Sequence, residues 1–262
     1  MVLHLDAVTY HHTMGSGRTK PAIFQCNDLN GNPAGEYVLK FRAGMDGGVT
    51  SLMCELVASL LAQQLGLSAP EPAIVQLDPA IAQLLPSGEG RVAAMIRNSS
   101  GLNFATRVLV GGYGIPPVDE PLSVSIRSQA AEVFAFDALT QNPDRRFDNP
   151  NLLRVGEQLF VIDHDTAFSF LYALNVPAPP WNLERLDFLE QHVFYNSLRG
   201  NAINLDRFAG ALGSLSDAKI DLMEAEIPRE WRNENLPKVL SHIKEVRNHV
   251  QSFVDQVVRR LI

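Results

Sequence analysis

The chain has 262 residues, of which 46% are hydrophobic and 19% are charged, a composition typical of a globular protein with a sizeable core. Its 22 Lys and Arg residues against 29 Asp and Glu residues give a formal net charge of −7. Because nucleic-acid-binding surfaces are usually basic, this balance argues against a direct nucleic-acid partner.

The two cysteines, Cys26 and Cys54, lie in apolar stretches and lack the CxxC spacing of a zinc site or a redox motif. The first residues lack the pattern of a signal peptide, and no apolar stretch reaches the roughly 18 residues of a membrane-spanning helix. We therefore expect a cytoplasmic protein that has no membrane partner.

The first part of the chain has the pattern of a sheet. Apolar runs at 2–9, 22–26 and 37–42 predict three strands, and the Asn30-Gly31 pair is a strong hairpin signal. Leucines recurring every fourth residue predict a helix capped by Thr50 or Ser51, and two further apolar runs, 73–77 and 92–96, predict more strands. The prediction is an antiparallel sheet that carries one helix.

The rest of the chain is predicted to be mostly helical. Helical patterns cover 123–140, 181–198, 217–226 and 236–261, and a short hairpin is predicted around Gly156. The composition changes near residue 107, after which a connector rich in Gly and Pro follows. We therefore predict an α+β fold with an N-terminal lobe at 1–106 and a helical lobe at 107–262.

The polar loop at 142–151 and the segment at 161–168 carry the most informative pattern. Asp144 is followed five residues later by Asn149, and Asp163 comes at the end of a short apolar strand. Phosphoryl transfer needs an acid for the acceptor hydroxyl, oxygen ligands for magnesium and a cation for the phosphates. This order of Asp, Asn and Asp is the one in which a kinase presents its base and its two metal ligands.

The remaining groups come from the predicted sheet and its helix. Lys40 alternates with apolar neighbours on a strand, so its side chain can point to a cleft, and Glu55 on the next helix is a suitable partner. Taken singly, each of these residues is more often an ordinary surface or turn residue. The loop containing Gly15, Ser16, Gly17 and Arg18 can close over phosphates with its backbone amides, although its spacing is a weak signal.

With these residues in view, the chain resembles the HipA-like kinases, a bacterial branch of the atypical kinase superfamily that includes the phosphatidylinositol 3- and 4-kinases. The resemblance is carried by Asn142-Pro-Asp-Arg…Asn149, by Ile162-Asp-His-Asp-Thr-Ala-Phe168 and by the Lys40 strand with the helix that follows it. It implies a two-lobed protein-kinase-like fold, Mg-ATP as the phosphate donor and a Ser or Thr hydroxyl of a protein as acceptor.

The resemblance also implies roles for single residues. Asp144 would act as the catalytic acid, Asn149 and Asp163 as metal ligands, and Lys40 would bind the α- and β-phosphates. Asn151 competes with Asn149 as a ligand, because both lie near the correct spacing. Members of the family can phosphorylate a serine in their own glycine loop, and Ser16 is the matching residue here. An antitoxin or the product of an adjacent gene is an expected partner.

Other functions remain open from the sequence. A small-molecule or lipid kinase would use the same motif, and nucleotidyl transfer from ATP uses similar groups. A pseudokinase that binds nucleotide and a partner belongs to a different class. It has no chemical need for Lys40, Glu55, Asp144, Asn149 and Asp163 together, which favours an enzyme.

Overall fold

The computed structural model describes residues 1–14, 19–86, 88–111, 122–173 and 178–262, which form a mixed α+β fold. Five strands form the N-terminal sheet, in the order β1, β2, β3, β5, β4: β1 Leu3–Thr13, β2 Ala22–Asp28, β3 Pro33–Lys40, β4 Pro72–Leu77 and β5 Gly101–Arg107. Strand β4 returns to pair with β1, so the sheet closes into a small barrel.

The expectation of an antiparallel sheet is wrong at one pair of strands. Strands β1 and β4 run parallel, with Leu3 opposite Ala73, whereas the other pairs are antiparallel. A parallel pair requires a crossover between its strands, and the chain makes it through the helix that follows β3. The barrel encloses its own apolar cluster, which includes Phe24, Tyr37 and Phe41.

Helix α1, Val49–Gln64, separates this barrel from the rest of the molecule. Its buried residues run almost continuously from Ser51 to Ala62, as expected for a helix covered on all sides. The predicted cap at Thr50 or Ser51 is wrong, because the helix already begins at Val49, after Gly48, which has a positive φ of 55°. Helix α1 and the C-terminal helices share one apolar core.

The prediction of a strand at 92–96 is also wrong, because this segment belongs to helix α2, Gly90–Asn98. Its buried residues Val92, Ala93 and Ile96 lie on one helical face. An apolar run this short is compatible with the periodicity of a helix and with that of a strand. The N-terminal part therefore carries two helices rather than one, and strand β5 follows after a tight turn at Ser99 and Ser100.

Helix α3, Val124–Thr140, confirms the helix predicted at 123–140, and the Ser123 hydroxyl accepts a hydrogen bond from the Ile126 amide at 3.3 Å. The predicted hairpin around Gly156 is present as β6, Leu152–Val155, and β7, Gln158–Val161. Together these elements hold the two polar segments of the predicted site next to each other.

The C-terminal part contains five more helices among the described residues: α4 Tyr195–Leu198, α5 Asp206–Gly213, α6 Asp217–Glu226, α7 Leu236–Asn248 and α8 Val250–Leu261. The helix predicted at 217–226 is confirmed. The helical segment predicted at 236–261 is confirmed except at His249, which divides it into α7 and α8 and stacks on the Trp181 ring at a centroid distance of 3.5 Å.

The helix predicted at 181–198 is largely wrong. The segment contains a 3-10 turn at Asp187–Gln191 and the one-turn helix α4. The residues between these two pieces form a turn that tertiary hydrogen bonds hold in place, since the Val193 amide donates to the Arg145 carbonyl at 3.0 Å and His192 contacts Asp137. No helix in the described part of the chain is both long and apolar enough to cross a lipid bilayer.

Candidate active site

Lys40 is the last residue of β3 and its side chain is almost fully enclosed, with 8% of the residue exposed. Its Nζ donates to an oxygen of Glu55 and, at 2.6 Å, to Oδ1 of Asp163. Burial alone would favour the neutral amine, but the Asp163 and Glu55 carboxylates hold the pKa of Lys40 above its ordinary value. Lys40 is therefore a fixed cation at physiological pH.

Glu55 uses both carboxylate oxygens in this site. Oε1 accepts from Lys40, and Oε2 accepts from the backbone amide of His164 at 3.0 Å. Only 1% of the residue is exposed, and this burial raises the pKa of Glu55 against the pull of Lys40. Because His164 directly follows Asp163, Glu55 links helix α1 to the segment that carries the predicted metal ligand.

Asp163 lies two residues beyond β7 in a left-handed conformation, with a φ of 59°. A non-glycine residue in this conformation costs on the order of 1–3 kcal/mol, so the surrounding contacts must hold it. Burial opposes ionisation, but the nearby Lys40 ammonium lowers the pKa of Asp163. Its side chain remains 29% exposed, which leaves an ionised carboxylate open to the cleft. The Asp165 carboxylate is also close enough to raise the pKa of Lys40.

Asp144 lies in the loop between α3 and β6, and its side chain is also 29% exposed. Its Oδ2 accepts from the side-chain amide of Asn149 at 2.8 Å and from that of Asn151 at 3.2 Å. The structure thus brings Asp144 and Asn149 together, as their spacing suggests. Both asparagines contact the same carboxylate oxygen, so the choice between them as metal ligand stays open.

The two groups of residues lie side by side because of the β6–β7 hairpin. Leu152 pairs with Val161, and the Ile162 amide donates to the Asn151 carbonyl at 3.1 Å. Asn151 and Asp163 are consequently neighbours across the hairpin, although the chain separates them by twelve residues. The predicted phosphate loop, residues 15–18, lies outside the described residues.

The oxygen donors at this hairpin fit a magnesium ion. Each asparagine donates its amide N–H to Asp144, so its Oδ1 can serve as a metal ligand together with the Asp163 carboxylate. Within the described ranges, no group of three or more His, Cys, Asp and Glu residues is arranged for metal binding. A magnesium ion that completes its shell with phosphate oxygens and water needs only one or two carboxylates, so the donor set is sufficient.

Sequence reasoning missed a buried polar network directly behind this site. Arg145, the residue after Asp144, is 1% exposed and is paired with Asp137 on α3, which also contacts His192. An aspartate within the apolar run of α3 was the available signal, since a carboxylate buried among apolar residues needs a cationic or hydrogen-bonding partner. Nothing in the local sequence around His192 marks it as a member.

Comparisons with known proteins are consistent with this geometry. No curated protein sequence matches the chain. The chain is similar to the crystal structure of the proinflammatory kinase CtkA of Helicobacter pylori, with a TM-score of 0.56, 13% identity and 99% of each chain covered. At that identity the likeness shows the fold alone. A family model described as HipA-like kinase matches residues 8–260, nearly the whole chain. The resemblance suggested by the sequence motifs is confirmed, and the chain belongs to the HipA-like kinase family.

Proposed function

We propose that the protein is an atypical protein kinase that transfers the γ-phosphoryl group of Mg-ATP to a Ser or Thr hydroxyl. The observation that carries this proposal is the convergence of Lys40, Glu55 and Asp163 from distant parts of the chain, next to the loop that presents Asp144. A protein that only binds a partner has no need for a buried, ion-paired lysine beside two exposed carboxylates.

The chemistry assigned to this chain's residues is simple. Asp144 accepts a hydrogen bond from the acceptor hydroxyl and takes its proton as the hydroxyl oxygen bonds to the γ-phosphorus. The bond from that phosphorus to the β–γ bridging oxygen breaks, and ADP leaves. Lys40 neutralises negative charge on the α- and β-phosphates, and Glu55 keeps its ammonium in place.

Membership of this kinase family implies that the protein uses ATP and usually a divalent metal ion. Asp163 and the side-chain oxygen of Asn149 or Asn151 would hold that metal, which would neutralise charge on the β- and γ-phosphate oxygens. To exchange its current partner for phosphate, Lys40 must loosen its 2.6 Å contact with Asp163.

A polypeptide acceptor is supported by an open groove of about 1130 Å³ beside the catalytic loop. The groove starts at Gln141 and Ser169, where the Ser169 hydroxyl donates to the Gln141 carbonyl at 2.7 Å. It continues along Phe170 and Trp181 to His242 on α7. Its apolar lining, which includes Phe170, Leu171 and Trp181, offers contacts for the side chains of an extended protein segment.

We further propose a two-lobed organisation with the boundary near residue 107, and autophosphorylation at Ser16 as a means of self-inhibition. A phosphate on Ser16 would compete with the phosphates of ATP. Cys26 and Cys54 are buried free thiols, which suits the reducing conditions of the cytoplasm. The proposed partners are a substrate protein and an antitoxin or other neighbouring gene product.

Intact-protein mass after incubation with Mg-ATP tests the proposal on the wild-type chain and on Asp144→Ala. We expect a gain of one or more phosphate masses on the wild type and none on the variant. A gain of the mass of AMP would replace kinase chemistry with nucleotidyl transfer. If the wild type gains no mass and releases no ADP with protein acceptors, while Mg-ATP still raises its melting temperature, the protein is a nucleotide-binding pseudokinase.

A further inference from the structure

Arg145 is a fully buried arginine whose donors are directed at the parts of the site that must be held. Its Nε pairs with Asp137, and Nη1 donates to the carbonyl of Asn151 and, at 3.2 Å, to that of Ile162. Nη2 lies 3.5 Å from Nδ1 of His164. One guanidinium thus connects α3, the end of the catalytic loop and both neighbours of Asp163.

These contacts coincide with the strained backbone of the site. Asn151 and Asp163 both have positive φ values, 48° and 59°. Each such residue costs on the order of 1–3 kcal/mol and keeps its conformation only when its surroundings impose it. Arg145 binds the carbonyl of Asn151 itself and the carbonyl immediately before Asp163, so it acts directly on both strained positions.

The anchor of Arg145 is itself fixed in one arrangement. The Phe194 amide donates to Nδ1 of His192 at 3.1 Å, so this nitrogen carries no proton, and Nε2 donates to the Asp137 carboxylate at 3.0 Å. Burial lowers the pKa of His192, which keeps the ring neutral. The Asp137 carboxylate therefore accepts from the charged Arg145 and from two neutral donors, His192 and, at 3.4 Å, the side-chain amide of Asn142. Among these three donors Arg145 supplies the positive charge that balances Asp137.

We propose that Arg145 is a positioning residue that holds Asp163 and the Asn151 end of the catalytic loop in the geometry needed for metal-nucleotide binding, anchored by Asp137 and His192. The inference rests on the proposed function. A planar fork with five donors is required because the targets lie in several directions, whereas a lysine ammonium could keep the pair with Asp137 but could not reach the carbonyls. Arg145 would not touch the substrate.

Arg145→Lys tests this inference, with Arg207→Lys as a matched control. Arg207 also binds a carboxylate of α3, that of Glu132, and also donates to two backbone carbonyls, those of Leu65 and Gly66. These partners lie outside the site, so the control loses a clamp with the same kinds of partners at a place with no role in catalysis, although the Arg207 side chain is 52% exposed and that of Arg145 is buried. For each protein we would measure ADP release, Mn²⁺ affinity in the presence of ADP by electron paramagnetic resonance, and amide hydrogen exchange at 162–164.

For Arg145→Lys we expect kcat and Mn²⁺ affinity to fall by about 10- to 100-fold, the usual effect of losing a residue that orients a metal ligand. We also expect amide exchange at 162–164 to accelerate. Arg207→Lys should keep the wild-type kcat, Mn²⁺ affinity and exchange at 162–164. If folded Arg145→Lys stays within about threefold of wild type in kcat and Mn²⁺ affinity, or if both variants lose them equally, the inference is wrong.

Two further outcomes are separable. If the wild type releases no ADP, the proposed function fails, while Mn²⁺ affinity and hydrogen exchange still decide whether Arg145 positions these residues. If Arg145→Lys does not fold, His192→Gln replaces it, because this change weakens the anchor of Asp137 and leaves the guanidinium in place. A positioning role then predicts a smaller loss of kcat with the same acceleration of exchange, and unchanged values of both would overturn it.

Discussion

Replacement of Glu55 by glutamine tests how the site holds Lys40. The Glu55 carboxylate accepts from Lys40 on one oxygen and from the His164 amide on the other. Glutamine has a single acceptor oxygen, so its NH2 group must face either the Lys40 ammonium or the His164 amide. The variant therefore leaves an unsatisfied buried donor and removes one of the two carboxylates that are hydrogen-bonded to Lys40, so that Asp163 remains as its charged hydrogen-bond partner.

The magnitude follows from the burial of this ion pair. Two unit charges about 4 Å apart attract by about 4 kcal/mol at an effective dielectric constant of about 20, and breaking a buried pair costs about 3–5 kcal/mol. Because Asp163 remains as a partner for Lys40, we take the lower end, about 3 kcal/mol. If this loss of about 3 kcal/mol of interaction energy falls on the transition state because Lys40 is less well positioned, kcat/KM should decrease about 100-fold.

The assay is ADP release at several ATP concentrations, with thermal unfolding by circular dichroism in parallel. Glu132→Gln is the matched control, since Glu132 is also buried and also accepts on both oxygens, from Arg207. We expect both variants to lower the melting temperature and only Glu55→Gln to lower kcat/KM. Retention of more than about a third of the wild-type kcat/KM by Glu55→Gln would refute the assignment of Glu55.

Two further predictions concern the stability of the fold. Leu56 is completely buried in α1, between the barrel and the C-terminal helices. Leu56→Ala should therefore lower the free energy of unfolding, measured by urea titration, by about 2–5 kcal/mol. A loss below about 1 kcal/mol would contradict a core shared by the barrel and the C-terminal helices. Burial lowers the pKa of His242 from 6.5 to about 4, so the unfolded chain binds the proton more readily, and the stability contributed by neutral His242 is lost as the pH falls from about 6.5 to 4. The advantage of the wild type over His242→Gln should therefore shrink by about 3 kcal/mol between pH 7 and pH 4, and a constant difference would show that His242 titrates normally.

The sequence alone determined the parts of the site and fold that depend on local order. The spacing of Asp144, Asn149 and Asp163 marks the two polar segments, and their short separation along the chain lets one hairpin bring them together. Helices α3 and α6 were predictable because their capping serines and apolar spacing lie within one continuous segment. The family was also recognisable from these motifs.

Only the tertiary structure decided the contacts between distant segments. The Lys40 ammonium meets Asp163 across 123 residues of sequence, and Glu55 reaches the His164 amide across 109, because α1 lies buried between the barrel and the C-terminal helices. Local periodicity could not distinguish helix from strand for the segment that forms α2. It also gave no sign that His192 forms a hydrogen bond with Asp137, 55 residues earlier in the chain. These outcomes depend on which buried polar groups find partners, and the partners come from elsewhere in the chain.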